Sequence, residues 1–147
     1  MPSPFQTRNI AHNEAKYTTI KLITGNTALT DADTGKVISC DLSAARTVTL
    51  PSPKAGLNFK FIVHAVDANP CTSDLVIQAA ASSAVAKGGV ASLDADGNAI
   101  DHKFPDGTDY ILTATDAEMG TLIEVFCDGT SWYFAGTVIS DDVPAFS

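Results

Sequence analysis

The segment at residues 121–139, TLIEVFCDGTSWYFAGTVI, constrains the fold most strongly because its pattern predicts a β-hairpin. Two runs rich in β-branched and aromatic residues flank Asp128-Gly129, a dipeptide that favours the positive φ angles of tight hairpin turns. If these two residues form the whole turn, Val125 lies opposite Trp132. If the loop has four residues, Val125 lies opposite Phe134 instead.

Both registers give the hairpin one apolar and one mixed face, because side chains on a strand alternate with a period of two. The apolar face, which we expect to join the core, carries Ile123, Val125, Trp132, Phe134 and Val138. The opposite face, which we expect to be half covered or to face a partner, carries Leu122, Glu124, Phe126, Tyr133 and Ala135. Trp132 and Tyr133 therefore cannot form one sugar-stacking platform, and Trp132 is predicted to be the central aromatic of the core.

Short segments with strand character recur along the chain, with turn signals about every ten residues. They cover residues 17–24, 27–30, 36–41, 47–50, 58–64, 75–79 and 110–114. Residues 80–87 suggest an irregular or edge strand, and residues 90–109 are polar and rich in turn residues. The pattern predicts an all-β protein, a β-sandwich or jelly roll of about nine or ten short antiparallel strands. We expect an extended N-terminal arm at residues 1–16, one β-sandwich domain at 17–140 and a C-terminal tail at 141–147.

The charge of the chain excludes some partners. Its 17 acidic and 9 basic residues give a net charge of −8, and the basic residues are scattered, so we expect no binding to nucleic acid. No apolar run is long enough to span a bilayer, so we expect no membrane partner. The first residues lack the apolar segment of a secretion signal, which predicts synthesis in a reducing cytosol.

The three cysteines do not suggest a disulfide framework, because their number is odd and no CxxC spacing occurs. Cys40 and Cys127 fall within predicted strands and are expected to be buried thiols. Buried free thiols are the default expectation, but Cys71 follows a proline in a predicted loop, which leaves exposure open as an alternative. A nucleophilic pair of Cys71 with His64 would lack any local catalytic signature.

Asp94, Asp96 and Asn98 provide the best candidate for a metal site, because oxygen ligands at alternate positions before a glycine resemble a calcium loop. The match is partial, since no glutamate stands at the closing position, and the same residue types form ordinary tight turns. We expect a turn here, with no metal and no cofactor. The three histidines are far apart in sequence and form no metal-ligand motif. These observations favour a structural or binding protein over an enzyme.

Both chain ends carry apolar residues that are candidates for contacts with a partner. The N-terminal arm contributes Phe5 and Ile10, with Arg8 available to pair with acidic neighbours, and the C-terminal tail contributes Val143 and Phe146. With the mixed face of the hairpin, the predicted interface residues are Phe5, Arg8, Ile10, Glu124, Phe126, Tyr133, Val143 and Phe146.

Two local patterns resemble a known group of proteins. One is the strand TVTLP at residues 47–51, followed by Gly56 and the aromatic strand FKFI at residues 59–62. The other is EVFCDGTSWYF at residues 124–134. Together, over about a third of the chain, they resemble small β-rich virion proteins of tailed bacteriophages, particularly capsid decoration (cement) proteins and some tail-fibre segments.

The resemblance implies a non-enzymatic protein that sits on the capsid exterior of a virion as a homotrimer. There it would bridge subunits of the major capsid protein and stabilise the head. The alternative that the same resemblance allows is a phage tail fibre or a tail-associated receptor-binding or carbohydrate-binding β-domain. An enzyme with a cupin-like jelly roll would need clustered histidine ligands, which the sequence does not offer.

Overall fold

The computed structural model describes residues 19–94 and 100–147, in which it contains thirteen β-strands. The strands are β1 Ile20–Ile23, β2 Thr27–Ala28, β3 Val37–Leu42, β4 Arg46–Thr49, β5 Asn58–Val66, β6 Leu75–Gln78, β7 Ala86–Gly88, β8 Val90–Leu93, β9 Ile100–Lys103, β10 Ile111–Ala114, β11 Leu122–Cys127, β12 Trp132–Ile139 and β13 Ala145–Phe146. The only helical element of the described residues is a single 3₁₀ turn at Asp31–Asp33. The all-β prediction is confirmed, although the strands outnumber the nine or ten expected. No helix in the described ranges is long and apolar enough to cross a membrane.

The strands form two mixed sheets. The large sheet has the order β1-β3-β5-β11-β12-β8-β9, with β7 also paired to β12, and the small sheet has the order β13-β10-β6-β4-β2. Within the large sheet, β5 pairs with β11 and β11 pairs with β12, both antiparallel. The hairpin of β11 and β12 thus lies near the centre of the large sheet.

The first six strands alternate between the two sheets. β1, β3 and β5 belong to the large sheet, whereas β2, β4 and β6 belong to the small one. Each turn reverses the chain direction and also carries the chain across to the other sheet. Consecutive members of one sheet therefore run parallel, as the pairs β1-β3, β3-β5, β2-β4 and β4-β6 do.

The prediction of antiparallel strands is wrong for these four pairs and for the pairing of β12 with β7 and β8, which is also parallel. The physical reason is that period-two alternation reports which face of a strand is buried and carries no information on strand direction. Frequent turn signals suggested hairpins within one sheet, but most of the turns connect different sheets. The antiparallel prediction is confirmed for the hairpin itself.

The hairpin adopts the four-residue loop, because Val125 pairs with Phe134 and Cys127 with Trp132. Asp128 stabilises this loop, since its carboxylate accepts hydrogen bonds from the backbone amides of Thr130 and Ser131 at 2.9 and 2.8 Å. The same bonds lower the pKa of Asp128 to about 2. The side chain thus satisfies backbone donors that a tight turn leaves unpaired.

One cluster of buried side chains draws on both sheets. The predicted core face of the hairpin is confirmed, since Ile123, Val125, Trp132, Phe134 and Val138 are each at most 2% exposed. Trp132 is completely buried, and its ring centroid lies 6.0 Å from that of Phe59 on β5. Trp132 is therefore a core aromatic, as the alternation predicted.

Two segments differ from the expectations, and one open question is decided. Residues 90–109 were expected to be turn-rich, but they contain β8 and β9, which pair with each other. Cys71, whose exposure was left open, is buried like Cys40 and Cys127, and all three are free thiols. The tail at 141–147 ends in β13, which pairs with β10.

Gly136 on β12 permits the closest backbone approach within the hairpin. Its φ is +131°, and a Cβ atom at this position would lie 2.1 Å from the carbonyl oxygen of Leu122. Backbone atoms of a paired strand cannot move away without breaking the ladder. Only glycine fits here, because any side chain would meet both backbone strain and a steric clash.

We expect Gly136→Ala to lower the free energy of unfolding by about 2–5 kcal/mol, because the added methyl group forces β11 and β12 apart. Urea denaturation measures the change. Gly25→Ala is the matched control, because its φ is not positive and no atom lies within 4 Å of its Cβ position. Equal stabilities of the two variants would contradict the proposed clash.

Candidate functional site

The mixed face of the hairpin is continuous with the outward face of the large sheet. Phe126 on β11 pairs with Tyr133 on β12, and Glu124 on β11 pairs with Lys60 on β5. Three predicted interface residues, Glu124, Phe126 and Tyr133, therefore lie together on this surface. We call it the outer face and take it as the candidate functional site.

An aromatic pair occupies one end of the outer face. The rings of Phe126 and Tyr133 are nearly parallel, with centroids 5.2 Å apart and planes 7° apart. The ammonium of Lys87 lies 5.5 Å from the centroid of the Tyr133 ring, within the range of a cation–π interaction. Phe126 remains 48% exposed. The pair therefore presents an accessible, oriented ring to solvent.

An ion pair lies beside these rings near the centre of the sheet. Lys60 Nζ is 3.0 Å from Glu124 Oε1, and both side chains are about half exposed. They project from adjacent antiparallel strands at directly opposed positions, where oppositely charged side chains attract. At this exposure the pair contributes little to stability, but it leaves the centre of the face without net charge.

A groove of about 330 Å³ opens next to the ion pair. Side chains and backbone from the start of β3, the start of β5 and the end of β11 line it. The lining includes the side chains of Lys36, Val37, Asn58, Lys60, Glu124 and Phe126. We call this the lower groove.

Asp33 connects the lower groove with the edge strand β1, because it binds one lysine from each. Its carboxylate is 4% exposed and accepts hydrogen bonds from Lys21 Nζ on β1 at 2.9 Å and from Lys36 Nζ at 2.8 Å. Burial raises the pKa of Asp33, but the bonds from Lys36, Lys21 and the Thr30 amide outweigh burial and hold the pKa well below its ordinary value. A buried carboxylate thus positions both β1 and the groove lysine.

Apolar side chains cover the other part of the outer face. Ile20 and Leu22 on the edge strand β1 are 61% and 67% exposed, and Leu122 on β11 is 38% exposed. Leu22, Ser39, Ile62 and Leu122 occupy one row across four neighbouring strands. We call Ile20, Leu22, Ile62 and Leu122 the edge patch.

The remaining predicted interface residues are placed differently. Val143 is 51% exposed, as a contact residue requires. Phe146 instead lies in β13 and packs edge-on against the core residue Phe134, with ring centroids 5.5 Å apart. Phe146 is thus partly buried against the protein's own core, and its role in contact with a partner stays a prediction. Phe5, Arg8 and Ile10 lie outside the described residues.

Cys71 and His64 are not brought together as a catalytic pair. Cys71 Sγ donates to the carbonyl of Ser73 at 3.6 Å, and burial raises the pKa of the thiol, which disfavours the nucleophilic thiolate. His64 Nδ1 lies 2.9 Å from the Ser39 hydroxyl. Each group has a local structural partner.

The predicted turn around Asp94 falls partly outside the described residues, which exclude Asp96 and Asn98. Asp94 itself lines a small pocket of about 90 Å³ with Asp101, Asp141 and Asp142. Across residues 19–94 and 100–147, no group of three or more His, Cys, Asp or Glu side chains is arranged to hold a metal ion.

The negative charge of the described residues is concentrated at the end of the molecule where β12 finishes. Two basic residues of the described ranges lie among its carboxylates: Arg46 donates to the carbonyl of Asp41 at 3.1 Å, and Lys103 pairs with Asp101 at 2.9 Å. The carboxylates there are Asp41, Asp67, Asp74, Asp94, Asp101, Asp116, Glu118, Asp141 and Asp142. Burial and the nearby Asp74 and Asp142 raise the pKa of Asp116, as expected for crowded carboxylates. We call this region the acidic end.

Sequence reasoning missed Lys36, Asn58, Lys60 and Lys87 as members of the site. The alternation of residues 58–64 does place Asn58 and Lys60 opposite the buried phenylalanines, so their exposure was predictable. What the sequence lacked was the pairing of β5 with β11, which joins residues about sixty positions apart. Lys87 belongs to a segment whose small residues predicted no definite strand.

Comparison of the chain with known protein families, with curated proteins and with solved structures found no match. The residues and geometry of the outer face therefore carry the functional argument.

We expect Asp33→Asn to lower the free energy of unfolding at pH 7 by about 3 kcal/mol, because Lys21 and Lys36 lose their charged partner. The native pKa of Asp33 lies below the value of about 3.9 for an unfolded aspartate, so its contribution is fully present at neutral pH and is lost as the pH falls. Urea denaturation at pH 7 and pH 3 should therefore show a smaller difference between wild type and variant at pH 3.

The matched control is Asp31→Asn, because the ion pair of Asp31 with Lys54 is largely exposed and should contribute little. A difference between wild type and Asp33→Asn that stays constant with pH would show that the native pKa is not depressed.

Proposed function

We propose that the chain is a non-enzymatic virion structural protein that binds the outer surface of a phage capsid as a homotrimer and stabilises the head by bridging major capsid protein subunits. The observation that carries the proposal is the edge patch. The two local patterns at residues 47–62 and 124–134, which resemble capsid decoration proteins, suggest the class of assembly.

Large exposed apolar side chains are unevenly distributed over the described surface. Seven are exposed, and four of them, Ile20, Leu22, Leu122 and Phe126, lie on the outer face. Scattered apolar residues are ordinary on a protein surface, but a contiguous group indicates an interaction site. The edge patch therefore favours a protein that associates through the large sheet.

We assign a second copy of the chain as the occupant of the edge patch. The chain has a net charge of −8, and two copies repel each other wherever their acidic ends approach. The edge patch is uncharged, and the nearby Lys60 and Glu124 neutralise each other. The outer face is thus a surface through which copies of an acidic protein can approach each other.

The architecture is compatible with the compact body of such a protein. The two sheets contribute to one buried cluster, which supports a β-sandwich arrangement. In this proposal the body forms the subunit contact, while the arm at residues 1–16, with Phe5, Arg8 and Ile10, and the exposed Val143 reach the capsid. Three arms on one trimer bind multivalently, so that modest contacts combine into high avidity.

We expect the double variant Leu22→Lys/Leu122→Lys to be monomeric where the wild type is trimeric, because the lysines place charge in the subunit contact. Size-exclusion chromatography with light scattering measures the mass. Phe104→Lys is the control, because Phe104 is 68% exposed and lies outside the edge patch. A trimer that survives the double substitution would show that copies associate elsewhere.

Deletion of residues 1–16 should leave a folded trimer that no longer binds capsids. Co-sedimentation of the truncated and full-length proteins with purified phage heads measures the binding, and light scattering verifies the trimer. Normal decoration by the truncated protein would contradict the role of the arm. Binding of the full chain to phage tails but not heads would instead support the tail-associated alternative.

A further inference from the structure

The lower groove has the dimensions of a site for a small ligand. Its volume of about 330 Å³ falls at the lower end of the range of ligand pockets, about 300–1,000 Å³. The groove lies on the same face as the edge patch but shares no residue with it. It also combines one accessible aromatic ring with a few polar side chains, a composition typical of ligand sites.

The charges that line the groove are already compensated. Lys60 is paired with Glu124 at 3.0 Å, and Lys36 is paired with the buried Asp33 at 2.8 Å. An anionic ligand would have to compete with these carboxylates, and a cation would have to displace a lysine. The groove therefore favours a ligand without net charge.

The paired side chains still offer hydrogen bonds. An ammonium has three donors and a carboxylate has about four acceptor positions, so a single contact leaves both Lys60 and Glu124 with unused capacity. Asn58 donates its amide to the carbonyl of Gly56 at 3.0 Å, which leaves its side-chain oxygen available. A donor and an acceptor 3.0 Å apart match neighbouring hydroxyl groups, each of which can donate and accept.

The exposed ring of Phe126 supplies an apolar surface at the border of the groove. Its stacking on Tyr133, itself in contact with Lys87, fixes the orientation of the ring. A ligand that suits this groove has one C–H-rich face for the ring and hydroxyl groups along its edge for the polar side chains. Pyranose sugars have this combination.

We propose that the lower groove binds a neutral saccharide of one or two sugar units. Phe126 stacks on a sugar ring, and Lys60, Glu124 and Asn58 hydrogen-bond to its hydroxyl groups. This site does not depend on the capsid role, because it uses different residues from the edge patch.

The test is a titration of the full-length ¹⁵N-labelled protein, followed by NMR, with glucose, galactose, N-acetylglucosamine and their β-linked disaccharides, together with a glycan array. We expect saturable shifts of the Asn58, Lys60 and Phe126 amides with at least one neutral sugar. Phe126→Ala should weaken that binding about tenfold, the loss expected for an aromatic contact of about 1.4 kcal/mol. Leu22→Ala, on the same face but outside the groove, should bind as the wild type does.

Glu124→Gln separates the charge argument from the stacking argument. The substitution leaves Lys60 without its carboxylate, so binding of the neutral sugar should weaken while binding of sialylated glycans should strengthen. The spectrum of each variant verifies that it is folded. The proposal is overturned if no neutral sugar gives saturable shifts, or if the wild type prefers anionic glycans. The double variant Leu22→Lys/Leu122→Lys, which is expected to lose the trimer, should still bind the sugar, so the two proposals fail separately.

Discussion

The pairing of β11 with its two neighbours is the contact on which the large sheet depends. β1, β3 and β5 lie on one side of β11, and β12, β8 and β9 lie on the other. β11 therefore connects the first half of the chain with the second half. Gly136 lets the backbone of β12 approach β11, because it has no side chain. The hydrogen bonds that Asp128 accepts stabilise the loop between these two strands and so keep their register. The pairing of β11 with β5 places Glu124 beside Lys60, and its pairing with β12 places Phe126 beside Tyr133.

Much of this central element was predictable from local patterns. Alternation alone separates the buried Ile123 and Val125 from the exposed Glu124 and Phe126, because apolar burial on one face is what holds a strand in its register. The choice between the two loops was left open, although the Asp-Gly-Thr-Ser sequence contains the means to decide it. An aspartate at the first loop position can accept hydrogen bonds from the two amides that follow the glycine, which favours the longer loop.

The parts that could not be predicted are contacts between distant segments. Whether neighbouring strands among the first six run parallel depends on which sheet each turn leads to. The turn residues indicate only that the chain reverses. Cys71 belongs to the buried cluster, and its backbone amide donates to the carboxylate of Glu118, 47 positions away, which no local pattern reports. Phe146 looked like a free apolar terminus, yet a sheet edge next to β10 and a core surface at Phe134 were available to it. Strand direction and the burial of Cys71 and Phe146 thus depend on tertiary packing rather than on local sequence preference.

The acidic end and the outer face together limit how copies of this chain can meet. Carboxylates dominate the acidic end, and their repulsion is strongest at distances shorter than the screening length of about 8 Å at physiological salt. End-to-end contacts through this region are therefore disfavoured. The outer face, in contrast, balances its central charges within a single ion pair, so placing a neighbouring copy against it requires no separation of unpaired charges. In the proposed assembly, a contact through the large sheet buries apolar surface and avoids an approach of two acidic ends. The same balance of charge makes the lower groove suited to a neutral ligand, because the Lys60–Glu124 ion pair lines the groove, whereas it is only a neighbour of the edge patch.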